Sequence, residues 1–136
     1  MPTAGYSGTP LAAKLGLRGG SRLLAKGAPE DYLQLLEPLP EAVTLVRRLS
    51  ATTDLIHVFA TERRALEIEL KAARRGMRPD AMIWVSWPKK ASKVATDLSE
   101  GTIRELALPM GLVDVKVCAV TEIWSGLKLV LRKELR

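Results

Sequence analysis

The stretch Asp80-Ala81-Met82-Ile83-Trp84-Val85-Ser86-Trp87-Pro88-Lys89-Lys90 constrains the fold more than any other part of the chain. It holds an apolar run of strand length, without polar alternation, that stops at a proline and two lysines. Strands covered on both faces are written this way, because neither face meets water, and parallel sheets with helices above and below provide that cover. A second run, Asp54-Leu55-Ile56-His57-Val58-Phe59-Ala60, has the same character. Between the two lies a helical pattern, Glu62 to Arg75, with Leu66, Leu70, Ala73 and Met77 on one face, Thr61 as its expected cap and Gly76 as its expected left-handed stop.

The remaining segments extend the same alternation. Thr9-Pro10-Leu11 to Gly16 reads as a short helix with a cap, a proline at its first position and a glycine stop. Ser21 to Lys26 predicts the first strand, ended by Gly27, and Pro29-Glu30-Asp31 opens a helix over Tyr32, Leu35 and Leu36. Val43 to Arg48 predicts the second strand, Leu55 to Ala60 the third and Met82 to Trp87 the fourth. Ser99 caps a helix that ends near Pro109 and Gly111. Val113, Val115 and Val117 then alternate with Asp114, Lys116 and Cys118, as an edge strand does, and a turn over Glu122 to Gly126 leads to the last strand, Leu127 to Arg132. The expectation is a three-layer, doubly wound, mostly parallel α/β sheet of Rossmann-like type with a C-terminal antiparallel hairpin. A leading segment over 1–20 with a short helix precedes a single α/β domain over 21–136.

A chain of 136 residues, 47% hydrophobic and 26% charged, suits one compact core. No apolar run approaches the roughly 20 residues needed to cross a bilayer, so a cytoplasmic protein without membrane partners is expected. Cys118 and His57 are each the sole residue of their type. That leaves no internal disulfide, no cysteine-clustered metal site and little basis for triad chemistry, and a mid-strand His57 reads as a packed structural residue. No metal and no cofactor are expected.

The order of elements, with Asp54-Leu55-Ile56 opening a central strand and Arg78-Pro79-Asp80 before the next, resembles a class I methyltransferase fold shortened by one strand and helix. That resemblance implies the strand order second, first, third, fourth, sixth, fifth, with the sixth antiparallel. Several stretches also resemble a bacterial family of short proteins classed as a domain of unknown function. They are Tyr6-Ser7-Gly8-Thr9-Pro10-Leu11-Ala12, Ser86-Trp87-Pro88-Lys89-Lys90-Ala91-Ser92, Val94-Ala95-Thr96-Asp97-Leu98, Val113-Asp114-Val115-Lys116-Val117-Cys118-Ala119-Val120 and Trp124-Ser125-Gly126-Leu127-Lys128-Leu129-Val130. The family brings no activity with it.

Methyltransferases of this class place several glycines after the first strand and an acid at the end of the second, for S-adenosylmethionine. Here Lys26-Gly27-Ala28-Pro29 follows the first strand, with one glycine and a proline that lacks an amide donor, and Arg47-Arg48 stand where the acid would be. The net charge of +6 points the same way, toward anions. Open α/β sheets bind ligands at the carboxyl ends of their strands. The expected ligand site there is Lys26, Gly27, Arg47, Arg48, Arg63, Lys89 and Lys90, with Trp87, Trp124 and Ser125 beside them so that two indoles stack a ring while cations hold a phosphate. The expected function is a non-catalytic domain for a phosphate-bearing small molecule such as a nucleotide. The alternatives are nucleic-acid binding over a broader basic face and an atypical S-adenosylmethionine-dependent methyltransferase. No acid and base are spaced to suggest catalysis.

Overall fold

The computed structural model describes residues 8–136. Tyr6 and Ser7 of the family-like stretch, and the start of the leading segment, lie outside the described residues. A six-stranded sheet runs in the order β2-β1-β3-β4-β6-β5, built from β1 (Arg22–Lys26), β2 (Thr44–Val46), β3 (Leu55–Phe59), β4 (Met82–Pro88), β5 (Leu112–Ala119) and β6 (Trp124–Leu131). The first four are parallel, and β6 pairs antiparallel with both β4 and β5. The order and the closing hairpin are those expected from the sequence.

Alternation along β3 and β4 sends side chains to two separate cores, as doubly covered strands require. Leu24, Ile56, Val58, Ile83, Val85 and Trp87 face α3 (Arg63–Gly76) and α4 (Glu100–Ala107), while Leu23, Leu55, Phe59 and Trp84 face α1 (Leu11–Leu15) and α2 (Tyr32–Leu36). The short α1 is part of the second core: Ala12 and Leu15 are buried, and the Leu15 carbonyl accepts a 2.9 Å hydrogen bond from the Trp84 indole N–H. Among the described residues no helix is long and apolar enough to cross a membrane.

A cluster of ion pairs fixes the amino ends of the central strands. The Arg78 guanidinium donates to Asp54 at 2.6 Å, to Asp80 at 2.7 Å and to the Thr53 carbonyl at 3.1 Å, and Asp54 also accepts the Arg22 backbone N–H at 2.7 Å. One carboxylate thus ties β1, β3 and the loop before β4 together, which gives Asp54 and Arg78 a structural role at the edge away from the expected site.

Several element boundaries differ from the sequence expectation. Pro10 precedes α1 as its cap position, and α2 starts at Tyr32, one turn after Pro29. Gly76 stays helical, with Met77 extended after it, so no left-handed stop exists there. Thr61 does not cap α3: the N-cap position is Glu62, and the exposed Arg63 N–H is taken at 2.7 Å by the carboxylate of Asp97, from the loop before α4. Capping across the fold is invisible to a local reading, because the partner sits 34 residues away. Strand β6 begins at Trp124, inside what reads as a turn, because the hairpin closes tightly over Thr121 to Ile123. Ser99 does cap α4, in a reciprocal capping box with Thr102.

Candidate functional site

The parallel strands end at Lys26, Val46, Phe59 and Pro88, so Lys26, Arg47, Arg48, Lys89 and Lys90 all stand at the carboxyl edge. From β2 to β4 the strand ends span about 14 Å, three inter-strand spacings. None of these five cations has an ion-pair partner among the described residues, whereas Arg63, Arg78, Arg104 and Arg132 are paired with carboxylates. Arg63, also in the expected set, differs from them: its exposed guanidinium pairs at 2.8 Å with Glu105 of α4. Lys89 is fixed through its backbone, its N–H donating to the Ile123 carbonyl at 2.7 Å, so the basic loop is pinned to the β5–β6 turn.

The two indoles do not form a clamp. In the β4–β6 register Trp87 lies opposite Ser125 and Trp124 opposite Pro88, so strand alternation sends the rings to opposite faces of the sheet. Trp87 is buried in the core beneath α3 and α4, and Trp124 packs edge-on against Phe59 on the other face, with centroids 5.1 Å apart. Ser125 follows Trp87 in register and is half-buried. Both tryptophans serve packing, and ring stacking between them is excluded by the pleat.

Gly27 has a backbone reason for being glycine. Its φ is +71°, and a Cβ there would stand 2.7 Å from the Phe59 carbonyl oxygen, so the chain leaving β1 lies directly on the end of β3. The single glycine is used for contact between two backbones. Gly27→Ala is expected to cost at least about 2 kcal/mol, from the left-handed conformation and the collision together. Urea unfolding measures it, and a change within about 0.5 kcal/mol would show that the contact is readily relaxed.

S-adenosylmethionine, implied by the fold, does not fit these residues. A side chain at Gly27 would meet the Phe59 carbonyl, Pro29 offers no amide, and Arg47 and Arg48 stand where the acid for ribose hydroxyls is expected.

Just inside this edge is a buried polar chain that crosses three elements. The Tyr32 hydroxyl lies 2.8 Å from His57 Nδ1, and His57 Nε2 lies 2.7 Å from Ser86 Oγ, joining α2, β3 and β4. His57 and Ser86 are fully buried and Tyr32 nearly so, and burial holds the imidazole pKa down at about 3 and pushes the phenol up. A neutral imidazole offers one donor and one acceptor, and each hydroxyl serves either role, so both tautomers satisfy every atom. With no opening to solvent, Ser86 is a packed hydroxyl and the chain is a structural strut. Among the described residues no group of His, Cys, Asp and Glu is arranged to hold a metal ion.

No family model matches the chain, and no curated protein matches it either. Solved structures do. The chain superposes on an S-adenosylmethionine-dependent methyltransferase from Aquifex aeolicus with a TM-score of 0.55 at 15% identity, covering 90% of this chain and 88% of that one. Aeropyrum pernix fibrillarin with natively bound S-adenosylmethionine gives 0.58 at 14% identity, covering 93% and 70%. The O-methyltransferase NcsB1 of neocarzinostatin biosynthesis gives 0.61 at 13% identity, covering 95% of this chain and 51% of that one. The chain also spans about half the length of the mitomycin 7-O-methyltransferase MmcR, which it matches at a TM-score of 0.59 and 10% identity. The fold is therefore methyltransferase-like and Rossmann-like; at these identities the likeness concerns the fold alone.

Proposed function

We propose that this protein is a non-catalytic domain of methyltransferase-like fold that binds a phosphate-bearing ligand, such as a nucleotide, at the carboxyl edge of its sheet. The observation that carries this reading is the row of Lys26, Arg47, Arg48, Lys89 and Lys90 without carboxylate partners among the described residues. Like charges held along about 14 Å of edge repel one another, and an anion relieves that repulsion. The cations stand at the strand ends along the sheet edge, which suits a phosphate group gripped at the surface. The motif stretches support membership of the short bacterial family they resemble.

The test is thermal stability across a panel of ATP, ADP and S-adenosylmethionine, together with RNA and DNA oligomers at low and high salt. A nucleotide is expected to raise the melting temperature, and the variant Lys26→Ala/Arg47→Ala/Arg48→Ala is expected to lose most of that rise. Stabilisation by S-adenosylmethionine alone would overturn the reading in favour of a methyltransferase. Binding confined to RNA or DNA, with affinity falling steeply as salt rises, would replace it with a nucleic-acid-binding domain.

A further inference from the structure

A second group of lysines lies on the α1 face, beside the edge strand. In the β5–β6 register Lys116 stands directly opposite Lys128, and two strand positions further on Cys118 stands opposite Gly126. Like charges facing each other across two strands destabilise the pair, and neither lysine has a carboxylate partner among the described residues. Lys14, in the last turn of α1, brings a second cation to Lys116, because a groove of about 270 Å³ between α1 and β5 is lined by Ala13, Lys14, Lys116, Cys118 and Ala119. Burial pushes the Cys118 thiol above its ordinary pKa, against the opposing pull of Lys14, Lys116 and Lys89. Residues 1–7 contain no aspartate or glutamate, so they bring no side-chain carboxylate to this face. Gly126 allows the floor to form: a Cβ there would sit 3.1 Å from Val120, 3.2 Å from Trp84 and 3.4 Å from the Cys118 sulfur.

From this arrangement we infer a second anion-binding site, the groove between α1 and β5, in which Lys14 and Lys116 hold a small phosphate-bearing molecule of about the size of pyrophosphate over Cys118. Two cations from separate elements, Lys14 and Lys116, meet there with no carboxylate among the described residues that line the groove, and their repulsion is offset when a polyanion enters. The groove is distinct from the Lys26 to Arg48 end of the carboxyl-edge row, though Lys89 at the other end acts on Cys118 from a distance. In the strand order, β1 is four spacings from β5, about 19 Å, so Lys26 and Arg47 take no part in it. The inference can therefore fail while the Lys26 and Arg47 end of the proposed function stands, and the reverse.

Cys118 is the only cysteine of the chain and lines the groove, so its labelling rate reports occupancy. A dianionic aromatic disulfide is expected to label Cys118 faster than a neutral disulfide of similar size, by a ratio that falls with salt. Pyrophosphate at about 1 mM is expected to slow labelling about tenfold, as for a dissociation constant of about 0.1 mM, while sodium chloride at matched ionic strength gives less than about twofold. Lys14→Ala and Lys116→Ala are each expected to remove the protection, and Lys26→Ala/Arg47→Ala to leave it intact. Urea unfolding of each variant confirms that the fold persists. No protection by pyrophosphate, protection matched by sodium chloride, or protection that survives both groove variants would overturn the inference. Loss of protection in the carboxyl-edge variant would assign the anion to that edge and overturn it equally.

Discussion

Between pH 7.5 and pH 4.5 the protein is expected to lose about 3 kcal/mol of stability through one side chain, His57. The imidazole is fully buried, and burial lowers its pKa from 6.5 to about 3. Its folded pKa lies below its unfolded value, so between about pH 3 and 6.5 the unfolded chain takes up a proton that the folded one refuses. Stability therefore rises with pH across that window and levels off above 6.5. The slope is about 1.4 kcal/mol per pH unit, and the full loss at the acid end is about 5 kcal/mol. Because His57 is the only histidine, the effect has a clean control: His57→Gln keeps a donor and an acceptor for Tyr32 and Ser86 and has no charge to gain. Urea unfolding at pH 7.5 and 5.0 separates the two chains. The wild type is expected to weaken by about 2 kcal/mol and the variant to change little. Equal slopes in both chains would mean that His57 is hydrated or protonated in the folded state. Asp54 adds a loss at lower pH: partial burial raises its pKa, but the hydrogen bonds from Arg22 and Arg78 lower it more, so the folded value falls below 3.8. Its contribution is present above that unfolded value and disappears as pH falls through the folded one.

The sheet was legible in the sequence because its information is local. Uninterrupted apolar runs such as Ile83 to Val85 identify doubly covered strands, and the alternating valines of β5 identify an edge. The positions of the charged residues at the carboxyl edge follow from where those strands stop. What they touch does not. Glu105, which pairs with Arg63, lies 42 residues away on another helix, and Asp97, which caps α3, lies 34 away. The stacked indoles failed for a related reason. Trp87 and Trp124 are brought to adjacent strands, yet which face each occupies depends on pairing register, and a shift of one residue reverses it. The α1 groove was missed altogether, because Lys14, Lys116 and Cys118 meet only when α1 is folded back over the far side of the sheet, which no pattern around Lys14 announces.

Trp84 is the residue that makes α1 part of the fold, and its replacement is expected to show this by uncoupling α1 as well as by weakening the core. The indole is fully buried on the central strand, and its N–H donates to the Leu15 carbonyl at the end of α1, 69 residues away. A five-residue helix has no stability of its own, so what holds it in place is Leu15, Ala12 and this hydrogen bond. Trp84→Ala removes the ring and is expected to cost about 3 to 5 kcal/mol. Trp84→Phe separates the two contributions: it keeps most of the apolar volume but leaves a buried carbonyl unpaired, at about 1 to 3 kcal/mol. The diagnostic is where the loss appears. In Trp84→Phe the segment Arg18 to Ser21, which joins α1 to β1 and is already exposed from Arg18 to Gly20, is expected to be cut by trypsin at Arg18 well before the sheet unfolds, because detaching α1 frees that connection to enter the protease in an extended form. Lys14 would leave the groove at the same time, so protection of Cys118 by pyrophosphate should vanish while the carboxyl-edge cations remain in place. If Trp84→Phe unfolds in one step with the same cleavage pattern as the wild type, α1 is held by its leucine and alanine packing alone, and the indole contributes only to the core.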